Sequence, residues 1–212
     1  MKTFEQMIEG YRHFRATEWR DERERWEQLA VGQSPQVMVI SCSDSRVDPA
    51  QILDVAPGEI FVVRNVAALV PPFETTPGRH GVSAAVEFAV QFLKVKEIVV
   101  MGHGLCGGCK AALTQDLHGN ELGEGGHVAH WVDMLDEARA PIAEKLGTAG
   151  REAELAMELE AVKVSLQNLQ TFPYVADKVS NGDLSLRGAH FAISDGILRL
   201  LDNEQGEFFA AE

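Results

Sequence analysis

An α/β fold with a mostly parallel central sheet flanked by helices is what this sequence predicts, on three observations. Short apolar runs rich in β-branched residues recur as VMVIS (37–41), EIFVVRNVA (59–67) and EIVVMGH (97–103), the character of strands buried on both faces. Between the second and third, Val82, Val86, Ala89, Val90 and Leu93 repeat at helical spacing over 80–93. The third run passes at once into GLCGGCKAAL, a glycine-rich turn that opens another helix. Strand, helix and strand in this succession call for right-handed crossovers and parallel pairing.

Each element has its own signal. Phe4, Met7, Ile8, Tyr11, Phe14, Trp19 and Trp26 sit at roughly helical spacing in a charged stretch, which predicts an amphipathic N-terminal arm over 1–32 that Gly32 and Pro35 break. An isolated chain leaves Trp19 and Trp26 exposed. Pro49 to Leu53 reads as a helical turn and Pro57-Gly58 as a turn. The polar, glycine-rich segment 115–130 reads as a loop or lid. From Trp131 to about Asp177 the spacing is helical again, broken at Pro141, at Gly147–Gly150 and at Pro173. Two apolar runs around Ser194-Asp195-Gly196 predict a C-terminal hairpin extension. At 212 residues and 45% hydrophobic composition the chain holds one substantial core, so 1–212 is read as a single domain, an arm over 1–32 and an α/β core over 33–212.

Charge and cysteine usage narrow the function. With 19 Lys and Arg against 32 Asp and Glu, the net charge of -13 repels phosphate backbones and argues against nucleic acid as a partner. No apolar stretch is long enough for a membrane span and the N-terminus lacks a signal-peptide core, so the expectation is a cytoplasmic protein. Three cysteines, Cys42, Cys106 and Cys109, are too few for a disulfide framework and fit metal binding or chemistry.

The chemistry concentrates at two strand ends. ISCSDSRVDP (40–49) follows the first strand, and H-x2-C, His103 and Cys106, follows the third. Ligands in open parallel sheets bind at such ends. Zn²⁺ takes thiolate and imidazole, and three protein ligands leave the fourth position of a catalytic site open. Gly107 and Gly108 let the backbone come close, and the helix opening at Gly107 turns its positive end toward thiolates or a bound anion. Asp44 and Arg46 share a side with Cys42 in an extended segment, so Asp44 reaches either the metal or the guanidinium. Two other readings stay open: a C-x-x-C redox dithiol of Cys106 and Cys109, and a closed structural site of Cys42, His103, Cys106 and Cys109. His127 and His130 read as surface or lid residues, His13, His80, His118 and His190 stand alone, and the acidic run Glu152 to Glu160 reads as a solvated helix face.

CSDSR (42–46), PGEIFVVRNVA (57–67), HGVSAAVEFAV (80–90) and HGLCGGCKAAL (103–113) together resemble the β-carbonic anhydrases, from about Gln33 to Leu113 and more loosely in the arm and C-terminal strands. The resemblance implies one Zn²⁺ per chain on Cys42, His103 and Cys106, with Asp44 as fourth ligand or released to Arg46. It also implies reversible hydration of CO2 to bicarbonate and a proton by zinc-bound hydroxide. It assigns Phe61, Val66 and Phe88 to an apolar CO2 pocket, Phe88 coming from a partner subunit, and Gln33 to orienting the reacting oxygen; Gly107 joins them as a substrate contact. One branch of the family carries a tryptophan three residues before the first zinc cysteine and binds inhibitory bicarbonate. Val39 stands there here, with Gln33 as in the other branch, which implies an open, water-bearing zinc. The arm implies a homodimer or tetramer. Hydrolysis of CS2 or COS on the same zinc, and a zinc or redox binding protein without activity, are the rival readings.

Overall fold

Val37–Cys42 forms β1, and its Met38, Val39 and Ile40 are fully buried, as a β-branched run covered on both faces requires. The computed structural model describes residues 1–211. They separate into two compact units, Met1–Ser34 and the described residues from Pro35 onward. The first unit is helical but not one helix: α1 (Phe4–Ala16), α2 (Glu18–Asp21) and α3 (Arg23–Val31) follow one another. Thr3 and Gln6 form a capping box at the start of α1. Within the arm Phe14 meets Trp26 edge-on at 5.7 Å and Arg23 lies 4.7 Å over Trp19, so both tryptophans are half-buried rather than exposed. Phe4, Met7, Tyr11 and Val31 are among the apolar side chains of the arm that face solvent.

In the second unit β1 leads through α4 (Pro49–Ile52), capped by Asp48, to β2 (Ile60–Asn65). The strand is shorter than the apolar run predicts, because Ala67 and Ala68 turn the chain into the left-handed region at φ 64° and 55°. Then come α5 (Gly81–Glu87), which widens into a π-helical turn over Phe88–Leu93, and β3 (Glu97–His103). Next are α6 (Gly107–Thr114), α7 (Gly126–Val132), α8 (Asp136–Leu146), α9 (Arg151–Leu169) and α10 (Pro173–Ser180), and finally β4 (Ser185–Phe191), β5 (Leu198–Leu201) and β6 (Phe208–Ala210). The sheet order is β2-β1-β3-β4-β5-β6, parallel through β4 and antiparallel beyond. The predicted C-terminal hairpin is there, extended by a third strand.

Two breaks in the helical region differ from expectation. The segment 115–130 is not loop throughout, since α7 starts at Gly126 and carries His127 and His130. Pro141 does not end a helix but lies inside α8. Pro141 and Glu137 are both exposed, so the carbonyl that loses its partner can turn to water.

One face of the sheet buries Met38, Ile40, Ile98 and Val100 against Val86 and Val90 and against Val162, Leu166 and Leu169 of α9. The strand order reverses between β1 and β3: the chain leaves β1 toward β2 on one side and leaves β3 toward β4 on the other. The crevice this opens lies at the carboxyl ends of β1 and β3, the place where such sheets bind ligands.

Candidate metal centre

Cys42 is the last residue of β1, His103 the last of β3, and Cys106 the residue capping α6. Parallel pairing in the register Ser41 to Met101 sets the two strand ends side by side. The ligating atoms of all three buried side chains lie within 4.8 Å of one another, and no other such group occurs among the described residues. His103 Nδ1 is 2.9 Å from Gly104 O, which can only accept, so Nδ1 carries the proton and Nε2 presents its lone pair. Nε2 is buried without a hydrogen-bond partner. The neighbouring Cys106 thiol, then burial, push Cys42 up to about 12, and Cys109 leads in pushing Cys106 up to about 12. Sulfurs crowded and buried in this way keep their protons unless a cation joins them. An imidazole lone pair and two such thiols fit Zn²⁺.

Asp44 is turned toward Arg46. The guanidinium donates from Nε to Asp44 Oδ1 at 2.8 Å and from Nη2 to Oδ2 at 2.7 Å, and Arg46 N adds 2.9 Å to Oδ1. Arg46, through these bonds, holds the Asp44 carboxyl well below the usual carboxylate range. Arg46 Nη2 also donates to Leu105 O at 3.0 Å.

Arg64, at the end of β2, staples the whole loop. It donates to Cys42 O at 2.9 Å, Asp44 O at 2.7 Å, Val47 O at 3.2 Å and Asp48 Oδ2 at 3.0 Å. The only sequence signal for this role is a guanidinium near the end of an otherwise apolar strand.

A family model described as Carbonic anhydrase matches residues 37–198. The chain is 34% identical to Beta carbonic anhydrase 3 of Arabidopsis thaliana over 198 residues, covering 92% of this chain and 76% of that protein. The chain belongs to the β-carbonic anhydrase family. Among solved structures it is similar to the β-carbonic anhydrase CcaA, with a TM-score of 0.89 and 32% identity over 98% of this chain and 92% of that one. It is also similar to a tetrameric β-carbonic anhydrase of Sordaria macrospora, with a TM-score of 0.82 and 30% identity over 93% and 96%. As a β-carbonic anhydrase it is a carbonate dehydratase, a lyase, and zinc is the metal its Cys-His-Cys trio serves.

The other expected residues of this β-carbonic anhydrase fall in separate places. Val66 packs at the start of α6, where a Cβ on Gly108 meets Val66 Cγ1 at 2.7 Å and Ala67 Cβ at 2.9 Å. Trp131 Nε1 donates to Val66 O at 2.8 Å. Only Gly108 serves that close approach, because a Cβ on Gly107 meets nothing within 4 Å. Phe61 and Phe88 pair at 5.8 Å, and Phe92 stacks on Phe88 at 5.6 Å, leaving Phe88 44% exposed. Gln33 belongs to the N-terminal unit, not to the one carrying the trio. Cys109 is buried in the first turn of α6 beside Cys106 and is not part of the 4.8 Å group, which counts against the closed four-ligand reading.

Two further expectations are overturned. Glu158 is not on a solvated face but 1% exposed, and His190 does not stand alone, since its Nε2 is 3.1 Å from Glu158 Oε2. Arg151 donates to both Glu158 oxygens, at 2.7 and 2.8 Å. Burial pushes the Glu158 carboxyl up, but the bonds from His190 and Arg151 outweigh it and hold it below its ordinary value. In sequence the acidic run masks this residue, because α9 buries one stripe and Glu158 falls on it beside Ala161 and Val162.

Proposed function

We propose that the chain catalyses the reversible hydration of CO2 to bicarbonate and a proton, on one zinc held by Cys42, His103 and Cys106. The observation that carries this reading is the Asp44–Arg46 pair: the carboxylate nearest the trio in sequence is engaged by a guanidinium, so three protein ligands remain and a fourth position is free for reactant. Zinc, when bound, supplies the Lewis acidity that lowers the pKa of water from about 15.7 to about 7. The chain's own residues do the rest. Arg46 holds Asp44 back, Arg64 fixes the backbone from Cys42 to Asp48, and His103 Nδ1–H on Gly104 O fixes the ring that offers Nε2. Val66 supplies apolar wall for a small apolar substrate, with Phe61 and Phe88 completing it where subunits meet and Gln33 orienting the reacting oxygen. Gly107 is exposed and a Cβ there meets nothing within 4 Å, which supports an approach of that oxygen to its backbone. Val39 in place of tryptophan fits the branch without the inhibitory bicarbonate pocket.

The chain acts as one domain, its arm serving oligomerisation. The exposed Phe4, Met7 and Tyr11 are surface that a dimer or tetramer covers. No described helix is long and apolar enough to cross a membrane, and a cytoplasmic site of action is proposed with the rest. The test is zinc content together with stopped-flow CO2 hydration. One zinc per chain with hydration near neutral pH is expected. Cys42→Ser should lose metal, and Asp44→Asn should keep zinc and lose most activity. Full zinc without hydration in the unmodified protein overturns the reading.

A further inference from the structure

A buried carboxylate is tied to the Asp44–Arg46 pair through one strained residue. Leu105 lies between the two metal ligands of the H-x2-C turn and has φ 59°, in the left-handed region that a residue with a Cβ rarely adopts. Both of its backbone polar groups are held. Its N–H donates to Glu158 Oε1 at 2.7 Å, and its carbonyl accepts from Arg46 Nη2 at 3.0 Å. Glu158 is itself fixed by the Arg151 fork at 2.7 and 2.8 Å and by His190 Nε2 at 3.1 Å. Four hydrogen bonds thus converge on one carboxylate that is 1% exposed, in a helix whose neighbouring buried positions are apolar.

We propose that Glu158 is a positioning residue for the gate: by holding Leu105 N–H it sets the Leu105 carbonyl where Arg46 Nη2 reaches it, and so keeps Arg46 on Asp44 and Asp44 off the metal. The inference rests on the reading above that the paired state of Asp44 is the open one. The Arg46 side chain is 46% exposed, and an ion pair so exposed fixes geometry poorly by itself. A third contact to a rigid carbonyl selects one placement of the guanidinium, and that carbonyl is rigid because Glu158 holds the other side of its residue. A carboxylate used only to join α9 to β4 needs no bond to Leu105. That bond runs from a buried charge to the strained residue in the metal turn, whose carbonyl is the one Arg46 uses.

The test loads the full-length protein with Co²⁺ and titrates azide, a small anion that needs a free coordination position, by visible absorbance. The unmodified protein is expected to bind azide. Glu158→Gln should bind it about tenfold more weakly, the scale of one hydrogen bond to a charged group, because Asp44 now competes. Adding Asp44→Asn to Glu158→Gln should restore affinity, since an amide is a poor competitor. Leu105→Gly should restore it in part, since glycine holds that turn without strain. Should Glu158→Gln not fold, Arg151→Lys keeps the charge, gives up the fork and is expected to weaken azide binding in the same direction. A lowered melting temperature with unchanged azide affinity, in whichever variant folds, overturns the inference. Failure of the unmodified cobalt protein to bind azide overturns the open-site reading instead.

Discussion

Replacing Gly108 by alanine places a Cβ 2.7 Å from Val66 Cγ1, 2.9 Å from Ala67 Cβ and 3.3 Å from Ala67 N. Val66 is 37% exposed and can rotate, but Ala67 is 4% exposed and its Cβ moves only with the backbone. That backbone is clamped: the Asn65 amide bonds both N and O of Leu69 at 2.8 Å, and Ser165 Oγ donates to Ala68 O at 3.2 Å. The overlap is therefore relieved by displacing the first turn of α6, which Cys106 caps. Overpacking of this kind costs about 1–3 kcal/mol. For a chain of this size each kcal/mol is about 2–4 °C, so the zinc-loaded variant should melt roughly 2–12 °C lower. It should also release zinc more readily to a chelator. Gly107→Ala is the internal control: its Cβ meets nothing within 4 Å and its φ is not positive, so the loss of unfolded-state entropy should leave stability unchanged or raised by about 0.4–1 kcal/mol. Thermal melts and chelator competition on both variants decide the matter. Equal melting of Gly108→Ala and the unmodified protein, or equal cost of the two alanines, refutes the reasoning.

Arg64→Lys keeps the charge but cannot span Cys42 O, Asp44 O, Val47 O and Asp48 together. It should lose about 1.5–3 kcal/mol in denaturant melts and bind zinc more weakly; unchanged zinc retention would show that the loop holds itself. Burial, then the Glu87 charge, push the Tyr174 phenol up to about 12. The folded chain thus keeps a proton that the unfolded chain gives up near the ordinary value of about 10. The stabilising contribution is complete below that value and disappears as pH rises toward 12. Phenolate absorbance should show a late step that Tyr174→Phe abolishes, and a late step surviving the substitution contradicts the assignment. Cys109→Ala should retain one zinc per chain by metal analysis, whereas loss of zinc would bring the four-ligand site back.

The trio was legible because its signals are local. Cys42 follows one apolar run, and His103 and Cys106 follow another, and parallel strands bring such ends together whatever the intervening chain does. Gly108 was legible only as one of two glycines. The arm's tryptophans differ from expectation because Phe14, twelve residues from Trp26, lies outside the turn that periodicity reads, and because Arg23, though only four residues from Trp19, is a charged residue whose place over the ring an apolar pattern does not register. Pro141 looked like a break because a pattern cannot show that the freed carbonyl faces water.

What the sequence by itself determined is the alternation of strands and helices, the metal ligands as residues closing two of those strands, and the proximity of Asp44 and Arg46: the last is fixed by spacing within a turn, and the ligands are joined by the rule that parallel strands share their carboxyl ends. Only the tertiary structure decided which partner Asp44 takes, that Arg64 staples the loop from a neighbouring strand, and that Glu158, 53 residues beyond Leu105, lies buried against it. A hydrogen bond across such a separation depends on where the strand order reverses and on which stripe of α9 faces the sheet, and neither is encoded near the residues it joins.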